Sequence, residues 1–201
     1  MGCEAIVRSA LEVSGFGTAE YLTALYDAVF NTDVEGDTLE VGCFMGQSTT
    51  VIASALRDRK MDETLTVIDG FMAPEEDEAL GKMLAAIYKP AGRFRAGMER
   101  AELSNYTLIE KDSQQFETWD EAPSKIRFAH VDGDHSYEGC RFDLERVLER
   151  ATNGAVIAMD DYQLRNWEWG VHRAVGEVLL PRARRQWTTK GGEQIFVEVE
   201  A

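Results

Sequence analysis

The feature that most constrains this chain is a repeated pairing of a short apolar run with a longer amphipathic stretch. Residues 38–41, 64–68, 106–109, 126–131 and 155–159 are apolar runs of strand length. Helical periodicity occupies 47–57, 78–88, 137–150 and 171–180. Parallel strands need long crossovers, usually helices, so this alternation predicts a parallel sheet covered by helices on both faces. The tail departs from the pattern. Residues 186–189 and 194–199 flank Lys190-Gly191-Gly192, a turn sequence that predicts an antiparallel hairpin. The expected architecture is α/β, a mostly parallel seven-stranded sheet ending in that hairpin. Residues 18–30 read as a helix, so 1–36 is expected to cap a single domain spanning 1–201.

Charge narrows the choice of partner. The formal charge is −15 over 201 residues, and phosphate contacts need a basic face, so nucleic acid is excluded as a partner. Cys3, Cys43 and Cys140 are too scattered for a disulfide framework, which fits a reducing cytoplasm. The N-terminus lacks the pattern of a secretory signal, and Ile6 stands where a myristoylation motif wants Ser or Thr. No apolar stretch approaches a membrane span.

In an open α/β sheet, ligands bind beyond the carboxyl ends of the strands. The turn after the first strand, Leu39-Glu40-Val41-Gly42-Cys43-Phe44-Met45-Gly46-Gln47-Ser48, is therefore the place to look. Gly42 and Gly46 permit close backbone approach, and Ser48 suits either a helix cap or a ligand contact. A dinucleotide fingerprint would need glycine where Phe44 stands, which disfavours NAD. S-adenosylmethionine (SAM) carries a sulfonium, an ammonium and a carboxylate. Glu40 suits its cationic methionine part. Asp69, ending the second strand, suits either ribose hydroxyls or the turn before Gly70. Asp112-Ser113, after the third strand, suits either the adenine or the cap of the next helix.

Two acidic segments follow core strands: Val131-Asp132-Gly133-Asp134-His135-Ser136-Tyr137 and Met159-Asp160-Asp161-Tyr162. If those strands are neighbours, about 4.8 Å apart, Asp132, Asp160 and Asp161 converge at one rim. Carboxylates forced together repel unless a cation neutralises them, and Mg²⁺ prefers such oxygen donors. Helix capping is the alternative reading, open to Asp134 and Ser136.

Glu40-Val-Gly-x-x-x-Gly-x-Ser, Asp69 and the two acidic segments together resemble the small bacterial class I methyltransferases related to macrocin O-methyltransferase. More distantly the chain is similar to the catechol and caffeoyl-CoA O-methyltransferases. The resemblance runs from about Thr38 to Trp169. It implies the Rossmann-like class I methyltransferase fold, with SAM lined by Glu40, Gly42, Gly46, Ser48, Asp69 and Asp112. It further implies a metal held by Asp132, Asp160 and Asp161, and O-methylation of a small-molecule acceptor. For the base it points to Asp134, while the more distant enzymes carry Lys where His135 stands. Asp134 and His135 are both candidates, His135 having the intrinsic pKa nearer neutrality. Related enzymes often self-associate, so a homo-oligomer is an expectation of the same resemblance. Two other readings remain open at this point: a metal-independent class I methyltransferase acting on another nucleophile, and a SAM- or nucleotide-binding module without catalysis. Phe71-Met72-Ala73-Pro74 and the Trp167/Trp169 segment are candidate covers for the site.

Overall fold

Side chains alternate across a strand, so a parallel sheet buried on both faces needs runs that are apolar throughout. The computed structural model describes residues 2–13, 15–60, 63–71, 90–163 and 170–200. Its parallel strands are β1 (Asp37–Val41), β2 (Leu65–Ile68), β3 (Tyr106–Ile109), β4 (Ile126–Val131) and β5 (Ala151–Met159). The hairpin β6 (Ala183–Thr188) and β7 (Ile195–Val199) completes the sheet, β7 running antiparallel to β5. The order across the seven strands is β3-β2-β1-β4-β5-β7-β6. Every residue of β4 is buried, as befits the middle strand.

Two apolar layers sandwich the sheet. One packs helices α1 (Cys3–Leu11), α2 (Ala19–Asn31), α3 (Gln47–Arg59) and α4 (Pro90–Arg100) against Val67, Phe128, Ala158 and Phe196. The other packs α5 (Tyr137–Leu148) and α6 (Val171–Ala174) against Val41, Ala129, Val131 and Ile157. Local capping agrees with this layout. The Thr18 hydroxyl accepts from Tyr21 N at 3.2 Å at the start of α2, and Ser136 Oγ accepts from Gly139 N at 3.0 Å at the start of α5. The expected helix at 18–30 is present as α2, and α1, which the sequence pattern did not single out, precedes it.

Other differences have local causes. Asn153-Gly154, a turn by composition, lies inside β5. Gly154 takes φ +86°, and the β4 pairing jumps from Ala151 to Val156, which marks a bulge. The expected helix 171–180 is one α-turn followed by a π-turn (Val175–Leu179) and a 3-10 turn (Leu180–Arg182) around Pro181. The expected helix 78–88 and the covers at 72–74 and 164–169 lie outside the described residues. Among the described residues no helix is long and apolar enough to cross a membrane.

Candidate active site

The strand order reverses between β1 and β4, so the crevice forms beyond their carboxyl ends. The loop leaving β1 enters it at Gly42, whose φ is +81° and whose added Cβ would stand 1.9 Å from the Asp132 carbonyl oxygen. Only glycine allows that approach between the β1 and β4 loops. Asp69 braces the loop from β2. Its Oδ2 accepts from the backbone N–H groups of Cys43 and Phe44, both at 2.8 Å, and its Oδ1 accepts from Phe71 N at 2.6 Å. Phe44 is held at φ +47°, a strained value for a side-chain-bearing residue. Gly46, in a left-handed conformation, is the cap of α3. Ser48, half-buried in the first turn, does not cap it, because the helix begins one residue earlier.

Glu40 and His130 are directly paired across β1 and β4, so their side chains emerge on the same face, beneath α2 and α3. Glu40 is completely buried; its Oε2 accepts from the Thr49 hydroxyl and its Oε1 lies 3.1 Å from His130 Nδ1. His130 Nε2 pairs with the hydroxyl of Tyr21, a buried residue of α2. Burial works against protonating His130, but Glu40, Asp132 and Asp160 outweigh it and raise its pKa. Beyond β3, Asp112 Oδ1 accepts from Gln114 N at 2.9 Å, the capping geometry considered for it.

The two acidic segments do converge. His135 Nε2 lies 3.2 Å from Asp132 Oδ1 and 3.1 Å from Asp161 Oδ2. Asp160 Oδ1 accepts from Asp161 N at 2.8 Å and from Gln194 Nε2 at 2.6 Å. Potential ligand atoms of Asp132, His135 and Asp161 all lie within 4.8 Å of one another, as do those of His130, Asp132 and Asp160. Burial and then repulsion from neighbouring acids raise Asp160 and take Asp161 up to about 6. His135 also titrates higher than usual, because Asp132, Asp161 and Asp160 together outweigh its burial. Asp134 behaves differently. It is exposed and accepts from Ser136 N at 2.8 Å and Ser136 Oγ at 3.0 Å, at the entrance to α5.

Sequence reasoning did not single out Tyr21, His130 or Gln194. A histidine inside a six-residue buried strand was the available signal for His130. Tyr21 and Gln194 are distant in sequence and gave none.

Residues 39–162 match a family model described as a methyltransferase domain. The chain belongs to this family. It is a class I SAM-dependent methyltransferase. No curated protein sequence matches it, but solved structures share its fold. The O-methyltransferase NovP is 16% identical with TM-score 0.71, over 91% of this chain and 81% of that one. An O-methyltransferase from Bacillus cereus in complex with SAH is 17% identical with TM-score 0.67, over 100% and 93%. TomG from Streptomyces achromogenes, involved in tomaymycin synthesis and solved with SAM, is 17% identical with TM-score 0.67, over 100% and 92%. The part of the methyltransferase that the family model matches includes the glycine loop and both acidic segments, whereas Tyr21 and Gln194 lie outside it.

Proposed function

We propose that this methyltransferase transfers the methyl group of SAM to a hydroxyl oxygen of a small molecule, assisted by a divalent cation, Mg²⁺, at Asp132, Asp160 and Asp161. The observation that carries the reading is that ligand atoms gather in two groups sharing Asp132 at the rim of β4 and β5, one with Asp160 and His130 and one with Asp161 and His135, against the glycine loop. Carboxylate oxygens suit a hard cation; burial first, and then repulsion from the neighbouring acids, raises Asp160 and Asp161, and a cation would relieve the repulsive part. The SAM complex of TomG and the SAH complex of the Bacillus cereus protein, both O-methyltransferases, support the donor and the oxygen acceptor.

When bound, SAM supplies an electrophilic methyl and the divalent ion acidifies a hydroxyl. The chain's own part is to position groups and to take up a proton. The imidazole of His135 takes up the hydroxyl proton, and Asp132 and Asp161, which flank its Nε2, hold the imidazolium that results. As the oxygen–carbon bond forms, the carbon–sulfur bond breaks and its electron pair stays on sulfur. Asp134, tied to Ser136, shapes the entrance to α5 and is the less suited of the two base candidates. Asp69 keeps the Cys43–Phe44 amides in register, and Gly42 lets the two loops meet.

One observation favours a second version. His135 Nε2 already lies between Asp132 and Asp161 and, donating to them as a neutral imidazole, eases their repulsion without a cation, which supports a metal-free version of the transfer. Turnover with SAM and catechol or sugar acceptors, with and without EDTA, separates the two. The metal reading expects activity to collapse on chelation and Mg²⁺ binding heat to vanish in Asp160→Asn. It also expects His135→Gln to lose about 10²–10⁴-fold in kcat, more than Asp134→Asn. Undiminished turnover in EDTA would sink the metal reading.

A further inference from the structure

Asp143 is a carboxyl group that this mechanism does not use, and it is fully buried at 0% exposure in the second turn of α5. The side-chain amide of Gln114 donates to its Oδ1 at 3.1 Å and to the Gly139 carbonyl at 3.4 Å. Its Oδ2 is sealed from water and makes no hydrogen bond of ordinary geometry. Gly133, between the acids Asp132 and Asp134, runs so close that a Cβ there would stand 2.9 Å from Asp143 Oδ2. One carboxyl therefore touches α5, the loop after β3 and the loop after β4.

That environment suits an acid better than its anion. An ionised carboxylate offers about four lone-pair sites, and burying it with only two neutral donors at hand, the Gln114 amide and the Ser113 hydroxyl, is costly. A neutral acid accepts from Gln114 at Oδ1 and carries its proton on Oδ2, beside the Ser113 hydroxyl. Burial raises its pKa to about 8; Ser113 and Gln114 pull it down, while Asp134 and Asp112 push it further up. Cys140, one turn earlier in α5, is a further titratable neighbour, its thiol raised to about 12 by burial first and then by Asp143 and Asp134. On the opposite side the same loop is tied down by Thr118 Oγ1, which donates to Asp112 O at 2.7 Å, and by Trp119 Nε1, which donates to Ser113 O at 2.8 Å.

We propose that Asp143 is a positioning residue that works as a neutral carboxylic acid, bracing Ser113 and Gln114 against Gly133 so that the loop beyond β3 keeps the shape that receives the adenine of the cofactor. This rests on the SAM reading above, with Asp112 and its neighbours at the adenine end. The test is calorimetric titration of S-adenosylhomocysteine into wild type, Asp143→Asn and Asp143→Ala at pH 7 and pH 9, with thermal unfolding of each. Asparagine reproduces the neutral acid, with an oxygen for Gln114 and an N–H for Ser113. Asp143→Asn should therefore bind within about twofold of wild type at pH 7, while Asp143→Ala loses about tenfold or more. At pH 9 wild type should weaken about tenfold relative to Asp143→Asn, because only about a tenth of the acid stays neutral one unit above its pKa. The ligand's own titration is common to both proteins and cancels. The proposal is overturned if Asp143→Asn loses as much as Asp143→Ala at pH 7, or if wild type and Asp143→Asn share one pH profile. Lost heat in a variant that also unfolds early would show a fold-wide role and overturn it as well. Absence of binding by wild type would instead remove the methyl-donor reading, and the role given to Asp143 with it.

Discussion

Burial leaves Asp143 with a carboxyl pKa of about 8 in the folded chain, against about 3.9 when unfolded. The folded state therefore holds a proton that the unfolded state has released at neutral pH. Its contribution to stability is complete below the unfolded value and is lost as pH rises through about 8. Asp143→Asn has no such loss. Its stability relative to wild type should grow between pH 5 and pH 8, by up to about 1.4 kcal/mol per unit, and then level off. Denaturant titrations at several pH values read this directly; parallel curves for the two proteins would contradict it. At the same scale, Asp69 shows how far residue type carries. Its position after a strand left a ribose contact and a turn cap open. In the fold it accepts from two amides of the glycine loop as well as from Phe71, a long-range role that local sequence does not display.

The loops after β1 and β4 depend on each other at Gly42. Gly42→Ala would need both a strained φ and a shift of the Asp132 carbonyl, since the added carbon stands 1.9 Å from it. A stability loss of about 1–3 kcal/mol is expected, together with weaker S-adenosylhomocysteine binding. Thermal unfolding and calorimetry check the two parts, and unchanged affinity would show that the loop tolerates the displacement. The strands themselves were legible because apolar runs bounded by turn residues have few alternatives. Gly154 goes against its local composition for a physical reason: asparagine-glycine is turn chemistry, and the same positive φ serves a bulge within β5. The last helix departs from its local pattern too, since its periodicity cannot show that the turn widens after Ala174.

Across the whole molecule the excess of acids sets how the fold responds to salt. With a net charge of −15, surface repulsion opposes the compact state. Raising NaCl from about 50 mM to about 500 mM shortens the screening length from roughly 14 Å to roughly 4 Å. The melting temperature should rise by about 2–4 °C for each kcal/mol of repulsion removed. A fall would mean that surface pairs such as Lys125–Glu35 outweigh the repulsion. The acidic rim was readable at this scale, because two motifs on adjacent strands have to meet once β4 and β5 pair.

What the sequence determined by itself is the set of elements and the chemistry at their ends. Period and turn residues dictate strand or helix locally, and Gly42, Asp69, Asp132, Asp160 and Asp161 each follow a strand. Tertiary structure decided which of these groups touch. Only packing could bring Tyr21 from α2 to His130, or set His135 between Asp132 and Asp161. Only packing could seal Asp143 between two loops, turning a helix residue that composition would place in water into a buried acid. Sequence spacing fixes which face of an element a residue occupies; the neighbours opposite that face, and hence its solvation and charge, come from the assembled fold.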